Sequence, residues 1–190
     1  MPFSIRKSTL EDLPAILRLR DAARLIMRKS GNYAQWPDGY PPEETFMHDI
    51  SQGVSYLIED IAGMKSPQPV ATFAFVPGPD PTYSVIYEGQ WISDALPYYV
   101  IHRMASLPDV HGILNATLRF CFSQTTNIRI DTHRDNVIMR HLLIRHGFTY
   151  CGIIHLANGD ERLAYQKQLS PMEITMREQQ CLTIKADATG

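Results

Sequence analysis

The chain has 190 residues, a formal net charge of −2 and 44% hydrophobic residues. This length and composition fit one globular domain with a sizeable core, or one domain with a tail. No apolar run reaches the roughly 18 residues that a membrane helix needs, and the start of the chain lacks the apolar stretch of a secretory signal. The small net charge disfavours nonspecific binding to nucleic acid or to an anionic membrane. We therefore predict a cytoplasmic protein with neither of these partners.

The cysteines and histidines predict neither a disulfide framework nor a metal site. Cys121, Cys151 and Cys181 are widely spaced and form no CxxC pair. Their odd number and spacing predict reduced thiols, two of them in the core. The seven histidines show neither an HExxH motif nor the Cys/His spacing of zinc ligands.

The first half of the chain predicts two helices and three strands. The strands are expected at residues 4–7, 54–59 and 70–76, and the helices at about 9–30 and 43–52. Thr9 and Asp12 form a capping pair at the start of the first helix, and Gly31 ends it. Turn residues at 63–67 predict that the second and third strands pair antiparallel.

The second half alternates strands with helices and then ends in a hairpin. Strands are expected at 98–105, 127–132, 148–155 and 161–167, and helices at 112–124 and 135–146. Gly147 closes the second of these helices, and Asn158-Gly159-Asp160 forms the hairpin turn. This order predicts an α/β fold with a mixed sheet. The polar segment 171–190 is predicted to be a separate extension, disordered or with one short helix from Met172 to Gln180.

Two motifs occur in this order of elements. One is Ile5-Arg6-x-x-x-x-Glu11-Asp12-Leu13, and the other is Asn136-x-x-Met139-x-x-x-x-Ile144-Arg145-x-Gly147-Phe148, with Gly152 four residues later. In these motifs the chain resembles the GNAT superfamily of N-acetyltransferases, with residues 1–170 as the GNAT-like domain. The resemblance implies a mixed sheet with splayed central parallel strands, flanked by about four helices. It also implies transfer of an acetyl group from acetyl-CoA to an amine.

The resemblance places acetyl-CoA between the fourth and fifth strands, with the pyrophosphate at the start of the following helix. The residues that this implies for cofactor binding are Met104, Ala105, Ser106, Val110, His111, Gly112, Ile113, Leu114, Asn115, Asn136 and Arg145. Of the family's phosphate loop only Gly112 is retained, and it supplies the tight turn before a helix N-terminus. Asp109 replaces a basic residue, so we expect its side chain to cap the helix or to face solvent, with weakened CoA affinity as the alternative.

His102 is the first candidate for the general base, because it lies in the fourth strand just before the segment that faces the thioester. A histidine hydrogen-bonded within the sheet is the structural alternative. Asp131 and His133, at the end of the fifth strand, are the next catalytic candidates. A pair between Arg103 and Asp131 would instead make Asp131 structural.

The acceptor is predicted to be a primary amine of a small molecule or a peptide. Aromatic and acidic residues in two loops are predicted to bind it, namely Trp36, Tyr40, Tyr87, Glu88 and Trp91. Anchoring of the loops to the core is the alternative role for the aromatic residues.

Two questions stay open at the level of the sequence. Leu143 stands where many family members have a tyrosine that protonates the thiolate, and the phosphate loop is altered. The rival hypothesis is therefore a non-catalytic protein that binds or senses acyl-CoA. The oligomeric state is also open, and a homodimer is compatible with the sequence.

Overall fold

A seven-stranded sheet with helices on both faces forms the centre of the protein. The structure is a computed structural model that describes residues 3–62, 66–177 and 179. The strands are β1 (Phe3–Lys7), β2 (Ser55–Asp60), β3 (Gln68–Pro77), β4 (Tyr99–Ser106), β5 (Asn127–Thr132), β6 (Thr149–His155) and β7 (Glu161–Gln168). The helices are α1 (Leu13–Lys29), α2 (Glu43–Ser51), α3 (Ile113–Phe122) and α4 (Val137–Arg145). The sheet order is β1-β2-β3-β4-β5-β7-β6, and among the described strands only β4 and β5 pair in parallel. The mixed α/β fold predicted from the sequence is confirmed.

The first helix begins later than the sequence predicts. The Asp12 carboxylate accepts hydrogen bonds from the Thr9 amide (2.8 Å) and hydroxyl (3.1 Å), so the capping pair is present. The turn that it caps, Leu10–Asp12, is a short 3₁₀ helix, and α1 starts at Leu13. Pro14 then lies in the first turn of α1, where its missing N–H removes no intrahelical hydrogen bond.

Three clusters of buried side chains hold the layers together. The largest, with Phe73, Ile128 and Leu143, lies between the sheet and helices α3 and α4. A second cluster packs α1 and α2 on the opposite face, and a third packs the loop of residues 78–98 against β4, β6 and β7. Cys121 and Cys151 are buried free thiols, as predicted, and burial raises the pKa of each. Cys181 lies outside the described residues.

Backbone contacts hold the 78–98 loop against β6. The N–H and C=O groups of Tyr87 and Ile153 exchange two hydrogen bonds of 2.8 Å. A Cβ atom at Gly89 would overlap the carbonyl oxygen of Cys151, and Gly152 adopts a φ of +143° that side chains rarely tolerate. Glycine is required at both positions because the two backbones approach so closely.

A buried arginine fixes the same loop to β5. The Arg129 guanidinium lies between the rings of Trp91 and Tyr98, with its Cζ 4.0 Å and 3.9 Å from their centroids. It also donates to the Ser93 carbonyl at 3.0 Å and to Asp94 at 2.5 Å. Cation–π contacts are stronger when water is excluded from them. The contacts of Arg129 in β5 therefore hold this loop against the sheet.

The C-terminal segment is described only in part. Residues 171–177 are helical. Residues 63–65 of a predicted turn, and 180–190 with the end predicted to be disordered, lie outside the described residues. No helix in the described part of the chain is both long enough and apolar enough to cross a bilayer.

Candidate active site between strands β4 and β5

The two parallel strands separate after a short paired stretch. Within the described chain, β4 and β5 pair only at Tyr99–Ile128 and Val100–Arg129. Two cavities lie along the resulting gap, a small one of about 340 Å³ and a large one of about 780 Å³. They share five lining residues: Met27, Met104, Leu114, Asn136 and Met139. The two cavities are therefore the two ends of one cleft.

A β-bulge in β4 shapes the wall of this cleft. Pairing with β3 shifts by one residue between His102 and Ala105, and Arg103 adopts a φ of +52°. Arg103 donates two hydrogen bonds of 2.6 Å and 2.8 Å to the buried carboxylate of Asp49 in α2. The predicted alternative, an ion pair between Arg103 and Asp131, is therefore wrong: the bulge turns this side chain towards α2 instead.

The bulge also sets which backbone donors face the cleft. Leu107 N–H donates to the Val70 carbonyl, on the β3 side. The hydrogen-bonding groups of successive residues alternate between the two edges of a regular strand, so the N–H of Ser106 turns away from β3, towards the gap that the departure of β5 opens. Met104 lies in the bulge, where this alternation is interrupted, and it lines both cavities.

The large cavity ends at the start of α3. Gly112 is the N-cap, with a left-handed φ of +84°, and Ile113, Leu114 and Asn115 supply the first-turn N–H groups that have no intrahelical partner. Ala105 packs in the core beside α1 rather than lining either cavity. Val110 and His111 line the large cavity with Ser106.

Two cations lie at the edge of the large cavity. The side chains of Lys29 and Arg145 line it, and among the described residues neither forms an ion pair. Asp109 is exposed, and α3 has no side-chain hydrogen bond at its N-cap, so Asp109 faces solvent rather than capping the helix. An anion here would meet helix N–H groups and two free cations, with one solvated carboxylate nearby.

Asn136 lies where the two cavities meet, and both ends of its amide are occupied by protein. Its Oδ1 caps α4 by accepting from Met139 N–H at 3.1 Å. Its Nδ2 donates to Gln35 Oε1 at 2.9 Å. Gln35 belongs to the loop between α1 and α2, so this contact ties that loop to α4 across the cleft.

The small cavity contains a cluster of ionisable side chains around His102. His102 Nε2 lies 2.8 Å from Asp80 Oδ2, and its Nδ1 lies 3.9 Å from Asp131 Oδ1. Tyr83 donates to that same Asp131 oxygen at 2.6 Å, and burial raises the pKa of Tyr83 well above its usual value. Arg162 Nε lies 4.0 Å from Asp131 Oδ2.

The hydrogen bonds of Asp80 assign the proton on His102. Burial raises the pKa of Asp80, but hydrogen bonds from His102 and Thr82 outweigh it, so the pKa is lowered overall. An ionised carboxylate only accepts hydrogen bonds, so the proton of the neutral imidazole lies on Nε2. The Nδ1 lone pair is left without a hydrogen bond, because 3.9 Å is too long for one.

The remaining predicted site residues divide between cavity and surface. Trp36 and Tyr40 line the small cavity. Trp91 is buried against Tyr83, with ring centroids 5.7 Å apart, while Tyr87 and Glu88 are exposed, and none of these three lines either cavity.

His133 also lies outside both cavities. Its Nδ1 accepts from the Asp135 N–H at 3.2 Å. Burial and the nearby charge of Arg162 lower its pKa.

Sequence analysis did not assign Gln35, Asp80, Arg162 or Lys29 to the site, although all of them line the cleft. Asp80 stands in a Pro-rich run that indicates only a turn. Arg162 carried no usable signal, because the alternating Arg162, Ala164 and Gln166 of β7 are the more polar set in the sequence, and only the structure shows that all three are buried. Charged or amide side chains on a buried face of a strand are uncommon enough to mark a site.

Known structures share this fold. An acetyltransferase of the GNAT family from Streptococcus agalactiae 2603 is 29% identical over 88% of this chain and 96% of its own, with a TM-score of 0.77. This chain has the GNAT acetyltransferase fold. No family model matches the sequence, and no curated protein matches it at a significant level.

More distant GNAT structures show the same fold. The ribosomal-protein-S18-alanine N-acetyltransferase from Escherichia coli is 16% identical over 89% of this chain and 95% of its own, with a TM-score of 0.56. The NatC complex bound to Gag peptide and CoA contains a chain 15% identical over 90% of this chain and 100% of its own, with a TM-score of 0.60. The GNAT-like sheet, splayed at β4 and β5, is confirmed, and the fold supports a transferase.

Proposed function

We propose that this GNAT-fold chain is an N-acetyltransferase that transfers the acetyl group of acetyl-CoA to a primary amine by direct attack. One observation carries the proposal: His102, with its Nδ1 lone pair free, lies in the gap where β4 and β5 separate. We also propose a cytoplasmic location, which the free thiols Cys121 and Cys151 support.

The large cavity fits the phosphates of acetyl-CoA. Helix α3 offers N–H groups after Gly112, and Lys29 and Arg145 add positive charge at the edge. Asn136 is placed to reach the peptide-like part of the cosubstrate, because it lines both ends of the cleft. To do so it would have to exchange its hydrogen bond to Gln35 for one to the cosubstrate.

The small cavity supplies what attack by an amine requires. A neutral amine attacks the thioester carbon, and His102 Nδ1 accepts the proton that the amine nitrogen loses. Asp80 stabilises the imidazolium that forms, since it accepts the hydrogen bond from Nε2. The oxygen that gains negative charge would accept from an N–H of Met104 or Ser106, and one such donor is worth about 3 kcal/mol. The C–S bond then breaks and CoA leaves as a thiolate. The proton that His102 holds passes to this thiolate, directly or through water, so the products are an amide and CoA thiol, and His102 is neutral again.

The rival function, a protein that binds acyl-CoA without catalysis, is favoured by Leu143. This side chain is fully buried where many family members place a tyrosine, so no hydroxyl there protonates the thiolate. A general acid contributes typically 10² to 10⁴ in rate, so its loss would slow transfer rather than abolish it.

Thiol release and calorimetry separate the two functions. We expect acetyl-CoA to bind, and a panel of primary amines to stimulate release of free CoA thiol. Binding without release by any amine would support the rival. Absence of binding would contradict both.

A further inference from the structure

Arg162 is a buried cation whose hydrogen-bonding capacity is almost unused. It lies in β7 with 5% of its side chain exposed, and it lines the small cavity. A guanidinium has five N–H donors. Within the described residues only Nη1 makes a hydrogen bond, to the Glu161 carbonyl at 2.9 Å. The nearest carboxylate oxygens, of Asp131 at 4.0 Å from Nε and of Asp160 at 3.8 Å from Nη2, are too far for hydrogen bonds.

A second arginine of the same cavity provides the contrast. Arg103 also lines the small cavity, but Asp49 occupies its guanidinium with two hydrogen bonds of 2.6 Å and 2.8 Å. Arg162 has no such partner. None of its side-chain nitrogens is both fully buried and unpaired, so the unused N–H groups are open to the cavity, and the guanidinium fork matches a carboxylate.

The charges around Arg162 define what kind of molecule would fit. Asp80 and Asp131 lie beside His102, so the region where an amine would react is negative. Arg162 stands on the other side of Asp131: Asp131 is 3.9 Å from His102 Nδ1 and 4.0 Å from Arg162 Nε. The cavity thus has a cation directly beside the negatively charged region where the amine would react. This pair of charges is complementary to a zwitterion.

We propose that the acceptor is a free α-amino acid, whose carboxylate binds Arg162 while its amine lies against His102. This rests on the proposed acetyl transfer. The side chain of the acceptor would face the apolar part of the wall, where Met27, Trp36 and Leu156 lie. The cavity volume of about 340 Å³ is large enough for one amino acid. In the reaction the amine becomes an amide and the carboxylate is unchanged.

The decisive comparison varies the acceptor on the unaltered protein. For alanine, methionine and phenylalanine side chains, thiol release is measured with the amino acid, its carboxamide and its decarboxylated amine. Rates are expressed per neutral amine, because the three forms differ in basicity. We expect kcat/KM for the best amino acid to exceed that of the matching carboxamide and amine by about 10- to 100-fold, as for a charged hydrogen-bonded pair. Equal or faster reaction of the carboxamide would overturn the inference and indicate a peptide N-terminus.

A variant then tests whether Arg162 is the cause. Arg162→Met keeps the length of the side chain and removes the charge, and Arg119→Met, on the exposed face of α3, is the matched control. We expect Arg162→Met to abolish the preference for the amino acid, mainly through KM, so that the amino acid, its carboxamide and its decarboxylated amine react with similar kcat/KM in the variant. A preference that persists in the folded variant would overturn the role of Arg162. If the variant does not fold, the comparison of acceptors on the unaltered protein still decides.

Failure of the inference and failure of the proposed function give different results. If decarboxylated amines react as well as amino acids, the acceptor class is wrong and acetyl transfer stands. If no amine stimulates thiol release from bound acetyl-CoA, the proposed function fails and this inference fails with it.

Discussion

Replacement of His102 by glutamine separates a catalytic from a structural role of this side chain. In the structure His102 does two things: its Nε2 donates to Asp80 at 2.8 Å, and its Nδ1 faces the cavity without a hydrogen bond. A glutamine amide can still donate to Asp80, but it cannot accept a proton at neutral pH. The substitution therefore removes only the function that catalysis requires.

The size of each effect follows from these contacts. Because the hydrogen bond to Asp80 is kept, we expect the free energy of unfolding to fall by about 1 kcal/mol or less. Loss of a general base should lower kcat by about 10² to 10⁴, which corresponds to about 3–5 kcal/mol in the barrier. Acetyl-CoA binding should be unchanged, since His102 does not line the large cavity.

Melting temperature, calorimetric affinity for CoA and turnover across pH measure all three quantities. The loss of turnover in the variant should persist at every pH tested, while its melting temperature and CoA affinity stay close to those of the unaltered protein. Asp80→Asn is the companion variant. Because an amide can donate as well as accept a hydrogen bond, it no longer keeps the His102 proton on Nε2, and kcat should fall by about 10-fold or more. Near-normal turnover per folded molecule would refute the assignment and make Asp131 the next residue to test.

Three further outcomes are expected. Asn136→Ser keeps an oxygen that can cap α4 but loses the amide group, which contacts Gln35 in the structure and is proposed to contact acetyl-CoA during the reaction. KM for acetyl-CoA should therefore rise about 5- to 10-fold with little change in melting temperature. An unchanged KM would count against a cosubstrate contact. Arg145→Ala should weaken binding of CoA more than binding of 3′-dephospho-CoA, whereas equal weakening in calorimetry would leave Arg145 only a role at the end of α4. The hydrogen bond from Arg6 lowers the pKa of Asp12 to about 2, so this pair stabilises the fold fully above the carboxyl's unfolded pKa near 4 and loses that contribution as pH falls towards 2. Urea unfolding should therefore show the difference between the unaltered protein and Asp12→Asn shrinking as pH falls from about 4 towards 2, and a difference independent of pH would contradict it.

The sequence alone determined the order and type of the elements. Hydrophobic periodicity and turn residues act over a few neighbouring positions, which is why the strands, helices α2 to α4 and the final hairpin occur where they were expected. Gly112 and Gly147 adopt the left-handed backbone that their positions require. Asn136 caps α4 through a residue only three positions away. These features need no knowledge of the rest of the chain.

Only the tertiary structure decided which side chains meet in the cleft. Asp80 contacts His102 from 22 residues earlier, out of a loop whose path depends on Arg129 packing between two aromatic rings. The Arg103 side chain points towards α2 because the bulge in β4 changes the direction in which this side chain leaves the strand. Only the three-dimensional structure shows that most N–H groups of the Arg162 side chain have no hydrogen-bond partner among the described residues. A sequence pattern indicates which face of a helix or strand is buried. Which side chain it meets on another element depends on the path of the loops, on bulges and on the separation of strands. These features depend on contacts between residues that are distant in the chain.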